Sequence, residues 1–156
     1  MISNDKQASK KRSLAQQANV ARARARRFAM QAVYQHLLTG DDYAEISKQV
    51  AEREANKNYD TFFFSDIIEG VADYGNHFDM QLAPFANRPM VQLDIVEHAI
   101  LLVAAYELNS GITPPKVAIN EAIIIAKKFA SDDSHKFVNG VLDKLYKSLT
   151  EKKPRQ

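Results

Sequence analysis

The chain has no cysteine and no tryptophan in its 156 residues, and only five glycines and five prolines. Without cysteine it can form no disulfide and no thiolate metal site, the usage that a reducing cytoplasm permits. Few Gly and Pro, few alternating apolar patterns and many patterns spaced by three and four argue against an all-β chain and for an all-α one. The longest apolar run, Ala99 to Tyr106, is too short to cross a bilayer, and no signal-peptide core follows Met1. The expectation is a soluble cytoplasmic protein that does not enter a membrane.

The motifs of enzymes are missing too. There is no phosphate-binding Walker loop, no dinucleotide glycine pattern, no HExxH and no metal-ligand spacing, so neither cofactor nor metal is expected. His77 and Asp79 are two apart and point to different sides of a helix, and Ser134-His135 beside Asp133 is adjacency in sequence rather than a triad. A catalytic role is not expected.

Acid is missing in one place only. Between Lys6 and Gly40 there is no Asp or Glu, while Lys6, Lys10, Lys11, Arg12, Arg22, Arg24, Arg26 and Arg27 are all basic, against a net charge of +2 for the chain. A charge run is usually a solvated helix face. Here no acid compensates it over more than thirty residues, which points to a polyanionic partner, nucleic acid first.

The length suits one domain, able to bury about 68 to 70% of its unfolded-chain surface. Residues 1–19 are polar, without an apolar stripe, and read as a flexible or partly helical arm. From Val20 the Ala and Arg alternation favours helix, with Ala29, Val33 and Leu37 facing a core, Arg22, Arg26 and Arg27 off that stripe, and Gly40 as terminator. Asp41 and Asp42 open a short helix to about Glu54, and Asp60 opens another striped by Phe64, Ile67, Ile68, Val71, Tyr74 and Phe78, expected to fail before Pro84. Arg88-Pro89 restarts the chain. The most apolar helix, Leu93 through Val96, Ile100, Val103, Ala104 and Leu108, should be central and end at Asn109-Ser110-Gly111. The expectation is a single-domain antiparallel bundle of about six or seven helices over residues 20–150, with a frayed tail at 151–156.

The last part, Val117 to Tyr146, predicts two helices joined at a charged corner. Ala118, Ala122, Ala126 and Phe129 make one apolar face, and Val138, Val141, Leu142, Leu145 and Leu149 make the next. Ser131-Asp132-Asp133-Ser134 between them carries side chains able to accept from the free N–H groups of a helix starting near Ser134. Asn139-Gly140 is a hairpin cue, but its flanking strands would be too short and the helical period runs through it unbroken. Gly inside a helix costs about 1 kcal/mol against Ala, which suggests close approach by a neighbouring helix or a ligand.

The run KVAINEAIIIAKKFASDDSHKFVNGVLDKL, with ARARARRFAMQAVYQ near the N-terminus, closely resembles the NusB transcription antitermination family over roughly residues 20 to 150. The resemblance implies a NusB-like helical fold that binds single-stranded boxA RNA of ribosomal RNA leaders. It implies joint binding with NusE, a small-subunit ribosomal protein, and docking on RNA polymerase with other Nus factors. It does not cover residues 1–19. Ala130 departs from a Gly that ends the helix in many relatives, and Ala23 interrupts a run that is solidly basic in some.

Carried over by position, the resemblance puts Arg22, Arg24, Arg26, Arg27, Tyr34, Lys136 and Phe137 on the RNA-facing surface, with Asp133 close enough to modulate it. It also puts Glu97 and nearby exposed positions at the NusE interface. Each has a plainer reading: Tyr34 and Phe137 as core-edge aromatics, Asp133 as a helix cap, Glu97 as a solvated acid. A rival from another class stays open, a protein-only adaptor or homodimer whose basic helix is covered by a second copy; some family members dimerise.

Overall fold

Three aspartates start three of the helices by the same device, a carboxylate that accepts from the free N–H groups of the first turn. The computed structural model describes residues 2–151, apart from the side chains at 2–4, 9, 10 and 12. Within it α1 spans Ile2–Thr39, α2 Tyr43–Arg53, α3 Thr61–Ala86, α4 Ile95–Ser110, α5 Pro115–Phe129 and α6 Ser134–Glu151, with one 3₁₀ turn at Met90–Gln92. Asp42 caps α2 at Ala44 N–H (3.2 Å), Asp60 caps α3 at Phe63 N–H (2.9 Å), and Asp94 caps α4 at Val96 and Glu97 N–H (2.9 and 3.2 Å). Gly111 ends α4 in the left-handed region, φ 69°, where a residue without Cβ is unstrained. No strand occurs among the described residues.

The stripes meet on α4. It packs against α1, α3, α5 and α6, and every residue from Ala99 to Ala105 is buried, as a helix apolar on all sides requires. Val138, Val141, Leu142 and Leu145 of α6 are buried as their spacing predicts. Asn139 and Gly140 lie within α6, so the hairpin cue is overridden by the helical period. Nothing lies within 4 Å of a Cβ built on Gly140, which removes the neighbouring helix as the reason for that glycine. Gly70 shows the opposite: a Cβ there would collide with the Tyr106 ring where α3 meets α4.

Two sequence expectations change and a third is narrowed. The helix expected to fail before Pro84 runs to Ala86 and stops at Asn87, φ 59°. Pro84 falls in the last turn, so the ring costs the helix one N–H to a carbonyl near its solvent-facing end rather than a bond in the interior. Tyr74, which by spacing belongs to the α3 core stripe, is 59% exposed. The arm is helical, because Ala, Lys, Gln and Ser before Val20 do not interrupt α1; lacking an apolar stripe, its residues 13–20 are all exposed. Of the tail expected to fray, only Glu151 lies among the described residues.

Candidate nucleic-acid interface

At 3.6 residues per turn α1 sorts Arg22, Arg24, Arg26 and Arg27 onto two sides. Arg22 and Arg26, four apart, clasp the Phe63 ring, their guanidinium carbons 4.2 and 5.2 Å from its centroid. Arg26 goes further inward. It is 3% exposed, and its Nε and Nη2 donate to the Glu107 carboxylate at 2.9 and 2.8 Å. Thr113 Oγ1 donates to the same carboxylate at 2.8 Å, and Glu121 lies 3.7 Å from Arg26 Nη1. Arg26 therefore leaves the surface to which its position in the basic run assigned it. A buried cation persists only beside a fixed, hydrogen-bonded anion, and α4 supplies that anion from far along the chain.

Arg24 and Arg27 face the other way. They line a cleft of about 680 Å³ with Phe28 and Gln31 of α1, Asn56, Lys57 and Asn58 of the α2–α3 loop, and Phe129 at the end of α5. The loop is tied to α1: Arg24 Nη1 donates to the Asn58 carbonyl (3.0 Å), Asp60 N–H donates to the Ala21 carbonyl (3.1 Å), and the Tyr59 ring meets Phe28 edge-on at 5.0 Å. Glu54, 7% exposed, also lines the cleft. The hydrogen bond from Arg53 and the Lys57 ammonium beside it hold its carboxyl below the usual carboxylate range, with each cation 3.0 Å away. Tyr34 lies two turns beyond Arg27 on the same side, partly buried against the core.

At the α5–α6 corner Ala130 leaves α5 with extended backbone, φ −101° and ψ 176°. Alanine adopts this without strain, so the left-handed stop that a Gly would provide is not used. Asp133 is a correction as a cap: its carboxylate is 90% exposed and 3.8 Å from Lys136 Nζ. Among the described residues no α6 backbone N–H donates to a side chain. Instead the Ser131 and Ser134 hydroxyls bond to each other (2.9 Å) and Ser134 Oγ donates to Glu97 Oε1 (3.0 Å). Arg88 sits over the Phe137 ring, 4.8 Å from its centroid, with Nη2 3.9 Å from Glu97 Oε2.

Glu97 is thus not the exposed partner position expected of it. It is 8% exposed because the first turn of α4 abuts the first turn of α6. Lys57, Gln31 and Arg88, which the structure places beside the predicted residues, carry no sequence signal that marks them. Phe129 shares the spacing of Ala118, Ala122 and Ala126; those three are buried while Phe129 is 38% exposed. The available signal is its place as the last residue before the break, where a stripe outruns the helix packed against it.

A model of the NusB family matches residues 23–147. The chain belongs to the NusB family. Among its relatives, the transcription antitermination protein NusB of Aeromonas hydrophila subsp. hydrophila is 48% identical over 132 residues, 84% of this chain and 96% of that one. The NusB of Idiomarina loihiensis is 43% identical over 80% of this chain and 90% of its own. In structure the chain resembles T. maritima NusB, TM-score 0.71, 29% identity, 80% of this chain and 89% of that one. It also resembles a chain in the complex of antitermination factors NusB and NusE with double-stranded RNA, TM-score 0.73, 26% identity, 80% and 94% covered. The family match begins after Arg22, so most of the exposed start of α1 lies outside it.

Proposed function

We infer that this chain is an RNA-binding transcription antitermination factor that holds RNA jointly with the ribosomal protein NusE. The observation that carries the reading is the cationic cleft face of α1, Arg24 and Arg27 beside Lys57, in a chain of the NusB family. In the proposed complex Arg22, Arg24, Arg27 and Lys136 meet phosphates, while Tyr34 and Phe137 offer aromatic surface to bases. Asp133 adjusts the local charge. Arg26 is left out, since its guanidinium is occupied by Glu107. Glu97 acts in this scheme by holding Ser134 and Arg88, and through Arg88 the Phe137 ring, rather than by touching NusE. The factor works in the cytoplasm on boxA-type leader RNA, and RNA polymerase and other Nus factors are reached through the complex.

The test is titration of the full chain, with and without purified NusE, against a boxA-type single strand, a scrambled strand and a duplex, alongside light scattering. The expected result is preference for the boxA-type strand, tighter in the presence of NusE, with a complex mass of one copy of each protein. Absence of RNA binding under every condition, with the chain found as a stable dimer, would overturn it in favour of a covered basic helix.

A further inference from the structure

The α1 cleft differs in kind from two other cavities of the bundle. One of about 280 Å³ beside Tyr74 and Tyr106 has no Lys or Arg on its walls. Another of about 380 Å³ beside Tyr43 is walled by Asp42, Glu69 and Asp73, which repel phosphate. The α1 cleft, about 680 Å³, lies within the range of roughly 300 to 1,000 Å³ that accommodates small ligands. It combines two arginines and a lysine, against one acid, Glu54, with an open aromatic ring and the side-chain amides of Gln31, Asn56 and Asn58. That is the set a single unstacked nucleotide needs: cations for phosphate, a ring for the base face, and paired donors and acceptors for the base edge.

We propose that this cleft is a nucleotide pocket, in which one base of the bound RNA turns out of the strand and stacks on Phe129 while its phosphate rests on Arg27 and Lys57. The proposal rests on the RNA reading above and adds the α2–α3 loop and the end of α5 to the interface. Phe129 is 38% exposed at the cleft wall, with Lys128 Nζ 5.5 Å from its ring centroid, so the ring is accessible and in a cationic setting. Lys57 reaches solvent, its side chain 60% exposed. Glu54 Oε2 is buried without an aligned hydrogen bond, although Lys57 Nζ stands 3.0 Å from it; the distance makes this an ion pair, one held by charge alone. When Lys57 swings to a phosphate, that carboxylate oxygen is left to accept from an exocyclic amine, as carboxylates do from cytosine N4. The pocket therefore favours adenine, guanine or cytosine over uracil.

The experiment is fluorescence titration of the full chain with the boxA-type single strand and with copies made abasic at each position in turn. One position is expected to lose roughly 5- to 150-fold in affinity, the range for one stacked base. In Phe129→Ala, with folding checked by circular dichroism, removing that same base is expected to change affinity less than about twofold, because the stack is already gone. Phe129→Leu, which keeps apolar bulk without a π face, is expected to behave like Phe129→Ala. Uracil at that position is expected to bind more weakly than the other bases in the parent, and Glu54→Gln to narrow the difference. If Arg27→Gln weakens binding but no abasic position loses its penalty in either Phe129 variant, the pocket is overturned and the RNA reading stands. If no strand binds the parent at all, the RNA reading fails and takes the pocket with it.

Discussion

The two sides of α1 put the same chemistry to opposite uses. Arg26 and Arg27 are neighbours in sequence, yet the first is braced inside the bundle by Glu107, which Thr113 holds in turn, while the second lines an open cleft. A guanidinium inside is held by a matched anion and fixes one helix against another. A guanidinium at the rim keeps donors turned toward the open cleft. Composition does not distinguish the two; what lies across from each residue does.

The sharpest way to break this contrast is Glu107→Ala, which strands the buried Arg26. A loss of about 3 to 5 kcal/mol is expected in urea titration, and a loss under about 1 kcal/mol would mean that Arg26 escapes to Glu121 or to water. Replacing both partners, Arg26→Met with Glu107→Leu, is expected to be neutral or stabilising by about 1 to 4 kcal/mol, since the desolvation of two charges is removed with their attraction. RNA affinity should survive this double change. A large drop in affinity would return Arg26 to the interface.

The glycines repeat the contrast between a filled and an open face. Gly70→Ala pushes a methyl into the Tyr106 ring and is expected to lower stability by about 1 to 3 kcal/mol on thermal unfolding. Gly140→Ala meets open space and should raise stability by about 0.5 to 1 kcal/mol. Gly140 follows Lys136 and Phe137 by four and three residues, on the same helix face. A stabilised Gly140→Ala protein with weakened RNA binding would mean that the bare backbone there is a contact surface.

The smallest stability effect is expected at the rim. Arg24→Gln and Arg27→Gln should each change stability by less than about 0.5 kcal/mol while lowering the slope of log K against log salt by roughly 0.7 for each phosphate no longer neutralised. Arg24 also donates to the Asn58 carbonyl, so of the two it should show the larger stability change. An unchanged slope in the double variant would remove both from the phosphate path.

Much of the fold was legible because helix periodicity and capping are local. Asp42, Asp60 and Gly111 act on residues within a turn of themselves, and the helix ends they set fall as expected, while α4 starts at Ile95 behind an Asp94 cap rather than at Leu93. Where expectation failed, a distant element decided. Tyr74 keeps its place on a stripe but has little opposite it, and Phe129 sits on a stripe that continues past its neighbour. Arg26 lies off the apolar stripe and is buried all the same, since a stripe count cannot see a carboxylate eighty-one residues away.

By itself, then, the sequence determined the helices, the central place of α4, the family and the concentration of positive charge on α1, all of which follow from short-range spacing and composition. The tertiary structure decided which of those charges reach solvent. It also turned Glu97 from a surface acid into the clamp on Ser134 and brought the 54–58 loop and Phe129 beside Arg24 and Arg27. The physical reason is that burial and pairing depend on what approaches a side chain from the rest of the bundle, and those distances exist only once the helices have packed.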